Sequence, residues 1–160
     1  MLRDAEKVQG VSSEQNNEEP FLRVLRKLRD RYQGKSITTQ QLMATFEEEL
    51  PSSLKYEGRK SLDWFYQGWI DGIAIPSYEL KQLKFSDESR ATVVSGVILQ
   101  KDTADEIVTS VLLYASGTGK LTLLGRVFAD GPETAFHFPA PLGTRKVVVD
   151  PYETVLRRLH

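Results

Sequence analysis

The feature that most restricts how this 160-residue chain can fold is a single change of hydrophobic period near residue 77. Ahead of that point apolar side chains recur every three to four residues, the spacing that lines one face of a helix. Beyond it they recur every two, the spacing of strands with unlike faces. The expected class is therefore α+β: a short helical segment over 21–76, then an antiparallel β-sandwich of about six to seven strands over 77–160.

Within the helical segment, Phe21, Val24, Leu25 and Leu28 make one apolar stripe, flanked by Arg23, Arg26, Lys27, Arg29 and Arg31, and Gly34 stops it. Thr38 and Gln41 have capping-box spacing, in which hydroxyl and amide satisfy each other's orphan N–H groups. Leu42, Met43, Phe46 and Leu50 then face one way, with Pro51 as the exit. Ser61 starts a third helix carrying Leu62, Phe65, Tyr66 and Trp69 on one face, ended by Gly72 and Pro76. Helices this short, roughly 10–14 residues, depend on packing rather than propensity. Residues 1–20 are polar and lack an apolar period between Gly10 and Pro20, so they read as a flexible tail or loop. The opening Met1-Leu2-Arg3 fits the last turn of a helix whose body is missing.

In the strand zone Tyr78 and Leu80 share one face whereas Leu83 and Phe85 share the other, which predicts a bulge near Lys81-Gln82. Segments 91–100 and 106–115 are β-branched and apolar on both faces, as buried strands are. Ser116-Gly117-Thr118-Gly119 turns the second of these into a hairpin with 121–129, and Asp130-Gly131-Pro132 turns the chain again. Thr134, Phe136 and Phe138 alternate with Ala135 and His137, Lys146–Val149 makes a last strand, and 152–160 is expected to add a short helix.

Composition removes several functions. With 21 basic and 22 acidic side chains the net charge is -1, against a dedicated nucleic-acid binder. The absence of Cys excludes disulfides, thiolate metal sites and a Cys nucleophile. His137 and His160 are the only two His, too far apart for ordinary His-based metal chemistry. No apolar run reaches the ~20 residues of a membrane-spanning helix, and 1–20 has no signal-peptide core. The sequence assigns no compartment.

Local motifs read better as structure than as chemistry. Gly117-Thr118-Gly119-Lys120 lacks the first glycine and final hydroxyl of a phosphate loop and reads as a tight turn. Ser52-Ser53-Leu54-Lys55 has the spacing of a Ser–Lys pair without its partner motifs, and reads as a loop. The basic run Arg23–Lys35 suits a solvated helix face, and Glu47, Glu48 and Glu49 a solvated helix end. His137 stands alone, and Trp64, Phe65, Tyr66 and Trp69 have helical spacing, so they read as core. No catalytic machinery is recognisable.

Several segments in order resemble the gluzincin, alanyl-aminopeptidase-type zinc aminopeptidases: Met1-Leu2-Arg3, then 21–50, then 61–80 with Trp69, Gly72 and Pro76. The strands follow, with a closing Val148-Val149-Asp150-Pro151 that runs on to Val155-Leu156. Neither the family's H-E-x-x-H motif nor its G-x-M-E-N loop occurs here, so no catalytic or metal residue carries over. The resemblance implies a non-catalytic C-terminal portion that packs on and supports a catalytic domain not present in this chain, where zinc is expected. Trp64, Trp69, Gly72 and Pro76 would form the structural junction between helices and sandwich, with self-association possible through helices 21–50. The alternative is a stand-alone β-sandwich module for peptide or glycan, with an exposed aromatic patch on its sheet.

Overall fold

The computed structural model of the chain describes residues 19–103, 107–117 and 120–158. It divides into two compact units, one ending at Asp63 and the other beginning at Trp64. The passage from Trp64 to Pro76 therefore goes with the strands. The tail expected over 1–20 lies outside the described residues except for Glu19 and Pro20, and Pro20 already opens the first helix.

The first unit contains α1 (Pro20–Tyr32) and α2 (Thr39–Glu48). Proline at the first helical position forfeits an N–H that has no partner there anyway. After Tyr32 the chain leaves the helix through Gly34, whose φ of 73° suits glycine. The capping box of α2 forms in full: Gln41 N–H donates to the Thr38 hydroxyl at 3.2 Å, and Thr38 N–H to Gln41 Oε1 at 2.9 Å. The expected stripes are narrower than their spacing suggests. On α1 Val24 is buried but Leu25 is exposed. On α2 the buried residue is Thr45, with Leu42, Met43 and Phe46 only half-buried. Thr45 tolerates burial because its hydroxyl donates back to the Gln41 carbonyl at 2.8 Å. Two 3₁₀ turns follow, Ser52–Leu54 and Tyr56–Gly58, and Leu50, Leu54 and Leu62 are buried.

A third amphipathic helix does not form as expected. A single α-turn, α3 (Asp63–Phe65), widens at once into the π-helical turn Tyr66–Ile70, closed by Asp71 N–H to the Tyr66 carbonyl at 3.0 Å. Widening shifts the buried positions to Trp64 and Gly68, and leaves Phe65, Tyr66 and Trp69 half-buried.

Six strands follow among the described residues: β1 (Ser77–Asp87), β2 (Thr92–Lys101), β3 (Thr109–Ser116), β4 (Leu121–Ala129), β5 (Glu133–Ala140) and β6 (Val147–Val149). They make two antiparallel three-stranded sheets, ordered β1-β2-β5 and β4-β3-β6. The expected bulge is present: register slips between Lys81 and Lys84, with Gln82 at φ 52°. It moves the inward phase from Tyr78 and Leu80 to Leu83 and Phe85. Both sheets feed one core, with Val94, Ile98 and Phe136 from the first and Val111, Leu113 and Val127 from the second. β3 is buried along nearly its whole length, on both faces.

The class is α+β, but the strands do not divide into two clearly separate layers. β4 runs beside β5, and β1 approaches β6, so the edges of each small sheet lie against the other. Strand twist brings such narrow sheets together at their margins, which also covers edges otherwise open to pairing. Gly125 shows how closely: a Cβ there would lie 2.4 Å from the Phe138 ring.

The expected terminal helix is absent over 152–158. Asp150 and Glu153 take left-handed φ of 40° and 52°, and the Asp150 carboxylate captures the amides a helix would have used.

Candidate functional site

Three places in the second unit bring polar or aromatic groups together. The first is the junction passage. Trp64 packs edge-on against Phe65 and Phe128, at 5.8 and 5.4 Å between ring centres. Trp69 donates its indole N–H to the Val108 carbonyl at 3.1 Å, while its ring stays half-buried. Gly72 has no room for a side chain, since a Cβ would sit 2.3 Å from the Gly68 carbonyl. Beyond it Ile73 is 96% exposed, whereas Pro76 is buried and its carbonyl accepts from Arg158 N–H at 2.9 Å. Trp64, Trp69 and Pro76 are thus each held within the second unit by ring packing or a hydrogen bond. The Asp71 charge raises the Tyr66 phenol pKa, so this tyrosine stays neutral at ordinary pH.

The second place is an open cleft of about 510 Å³ lined by Ser77, Tyr78, Glu79, Lys101 and Asp102. Glu79 pairs with Lys101 at 2.7 Å and with Lys81, and the two ammonium groups pull its carboxyl pKa down to about 2. The Ser77 hydroxyl donates to Asp102 Oδ2 at 2.6 Å. A serine nucleophile needs a general base to take its proton. Asp102, at φ 64° in the turn after β2, is instead the acceptor that a turn aspartate commonly offers. The cleft is an ion-paired surface.

The third place is the closing turn. Asp150 is fully buried, yet three donors saturate its carboxylate: Thr154 N–H at 2.9 Å, the Thr154 hydroxyl at 2.6 Å and Val155 N–H at 3.0 Å. Its own N–H donates to the Leu112 carbonyl of β3 at 2.8 Å. Asp150 therefore pins the end of the chain to the central strand of its sheet. In the sequence Asp150-Pro151 follows the last strand and belongs to the family-like closing segment, with nothing to mark it as an anchor. The missed signal was a threonine four residues after an aspartate, which allows a backbone and a side-chain bond to one carboxylate.

In the first unit, three residues of the basic run meet two of the three glutamates. Arg23, Lys27 and Arg31 stand four residues apart on α1. Arg23 pairs with Glu49 at 2.8 Å, Lys27 with Glu48 and Glu49 at 2.6 and 2.7 Å, and Arg31 with Glu48 at 2.6 Å. These contacts lower the Glu49 pKa and hold Glu48 at about 2, with Arg31 the larger cause for Glu48. Glu47 is used differently, accepting from Leu62 N–H at 2.7 Å. The basic run read as a solvated face and the glutamates as a solvated helix end; Arg23, Lys27, Arg31, Glu48 and Glu49 remain partly exposed but pair with one another in an intramolecular ladder.

The remaining motifs are structural. Ser52-Ser53-Leu54 is a 3₁₀ turn, and Gly117 N–H donates to the Lys120 carbonyl at 3.0 Å across a tight turn whose middle lies outside the described residues. His137 is exposed on β5. Among the described residues no three His, Asp or Glu side chains gather where they could hold a metal ion. No described helix is long and apolar enough to cross a membrane. No family model, no curated protein and no solved structure matches this chain.

Proposed function

We propose that this chain is a non-catalytic portion of a zinc-aminopeptidase-like protein, one that packs on and supports a catalytic domain outside it. The six strands around one core would correspond to the small sandwich of that family. The parent reaction would be hydrolysis of an N-terminal peptide bond by zinc-activated water. The observation that carries the reading is the Arg158–Pro76 hydrogen bond. It ties together the two segments that most resemble the family, the junction passage and the closing turn around Asp150. Both are built for anchoring, and exposed Ile70, Ile73, Tyr152 and Leu156 flank them as apolar surface for a partner.

A stand-alone peptide- or glycan-binding module would be served by exposed aromatics on a sheet face. Tyr78, Tyr114 and Phe136 are buried, and Phe85, Phe128 and Phe138 are half-buried, so no described strand offers that platform.

The test uses the purified 160-residue chain. It should hold no stoichiometric zinc, cleave no aminoacyl-nitroanilide, and associate in a concentration-dependent way by light scattering, through apolar residues such as Leu22 and Leu25. One zinc per chain with chelator-sensitive activity would overturn the reading. A clean monomer at every concentration that bound a glycan or peptide would replace it with the binding module.

A further inference from the structure

The sequence contains four pairs of adjacent basic residues: Arg26-Lys27, Arg59-Lys60, Arg145-Lys146 and Arg157-Arg158. Three are held by the fold. Arg26-Lys27 lies inside α1, where Lys27 pairs with Glu48 and Glu49. At Arg145-Lys146 the guanidinium pairs with Asp87, the Lys146 carbonyl accepts from Ser116 N–H at 2.9 Å, and buried Thr144 and Val147 flank the pair. Arg158 N–H is bound to the Pro76 carbonyl, and Arg157 is half-buried with its guanidinium 3.4 Å from the Asp150 carbonyl.

Arg59-Lys60 differs in each respect. Residues 57–60 are all exposed, and 59–62 belong to no helix or strand. Glu57 and Gly58 carry the chain out of the second 3₁₀ turn with left-handed φ of 50° and 73°. Arg59 follows at φ −83° and ψ 144°, the extended conformation in which a peptide lies along a binding cleft. Its N–H donates to the Tyr56 carbonyl at 3.0 Å, a bond of the weaker 3₁₀ kind. Its side chain is 76% exposed and pairs with Glu57 at 3.0 Å, an ion pair that solvent screens. A pocket carboxylate can take the place of Glu57. From Ser61 onward the chain is fixed again. The Ser61 hydroxyl donates to Asp63 at 2.6 Å, and buried Leu62 donates its N–H to Glu47 Oε1 at 2.7 Å.

Exposed loop tips are where proteases act. Two cations flanking one peptide bond are recognised by carboxylates placed on both sides of it. We propose that the Arg59–Lys60 peptide bond is a processing site, cut by an endoprotease with acidic pockets on both sides of the scissile bond. Water adds across the C–N bond, leaving a carboxylate on Arg59 and a free α-amine on Lys60. The helices α1 and α2 and both 3₁₀ turns lie before the cut, and every described strand lies after it. Cleavage thus severs the chain just ahead of the second unit, which begins at Trp64. Anchoring from Ser61 onward favours an enzyme that reads the two residues at the bond over one that must draw in a longer segment.

The test uses the full 160-residue chain, folded, and a purified omptin-class protease, which cuts between two basic residues. Intact mass followed over time should give 1–59 and 60–160 as the first products. Short synthetic peptides spanning each of the four doublets remove the fold, and all four should be cut. Arg59→Gln, at a side chain too exposed to affect folding, should lose the cut at this bond. A folded chain that stays intact here, or is cut first at another doublet, would overturn the proposal. So would cleavage that persists in Arg59→Gln, or a peptide spanning 59–60 that the protease leaves whole.

Discussion

The two units hold their polar groups in opposite ways. In the first, the strongest polar contacts are ion pairs between half-exposed side chains of α1 and α2, where water and salt compete for every charge. In the second, the decisive groups are withdrawn from water: Asp150 is saturated by three donors, and Gln100 is held by the Ile107 carbonyl. The apolar parts differ likewise. Among the described residues Val24, Leu50, Leu54 and Leu62 are the buried aliphatic residues of the helical unit, against a core drawn from all six strands in the other. A unit fixed by buried, saturated bonds keeps one geometry, whereas one joined by a screened ladder can adjust to what it touches.

The sharpest way to break this contrast is Asp150→Ala. It would leave Thr154 N–H, the Thr154 hydroxyl and Val155 N–H without their acceptor, at an exposed and a half-buried residue. Each orphaned group costs roughly 1–3 kcal/mol, and water entering the turn would recover part, so a loss of about 2–4 kcal/mol is expected in urea unfolding. Asp150→Asn keeps one acceptor oxygen and tolerates the left-handed φ of 40°, so it should recover a substantial part. If the alanine variant unfolds at the urea concentration of the parent, the closing turn is not an anchor.

A smaller effect is expected from Gly125→Ala, which tests how tightly β4 meets β5. The new methyl would lie 2.4 Å from the Phe138 ring, and moving that ring should cost about 1–3 kcal/mol. Adding Phe138→Leu should restore part of the loss, a coupling that a double-mutant cycle reads directly. Additive effects would show that the two strands are not in contact.

The same contrast explains what could be read from the sequence. Period two, the bulge at Gln82 and the capping box at Thr38 were legible because each is written in a few adjacent residues. The π-turn at Tyr66–Ile70 was not: its buried Gly68 packs against Ile107, almost 40 positions away, a contact no local pattern records. The ladder was half legible: the four-residue spacing of Arg23, Lys27 and Arg31 shows a stripe, but its partners on α2 become visible only when the helices meet. The burial of Asp150 was not legible because a buried carboxylate is expected only where donors converge. Those donors come from a turn with two left-handed residues, Asp150 and Glu153.

The smallest effect belongs to the ladder, and acid should reveal it. In the folded protein Glu48 titrates at about 2 rather than at its ordinary value of 4.5, and Glu49 is also lowered. A carboxylate whose folded pKa is depressed contributes stability that is complete above the unfolded value and lost as pH falls through the folded one. Protection of α1 and α2 should therefore be full near neutral pH and decline between about 4.5 and 2. Glu79 and Asp87 also sit at about 2, so acid weakens the strands over the same window, and a whole-chain melting curve would mix the two. Residue-resolved hydrogen exchange separates them. With Glu48→Gln, the acid-dependent part of the protection over 20–48 should shrink while that over 77–149 is unchanged. Salt near 1 M should mimic the substitution, because ion pairs open to solvent are screened and the buried Asp150 bonds are not. Equal loss in both regions would mean that the ladder does not set the stability of the helical unit, and that its few buried aliphatic residues suffice.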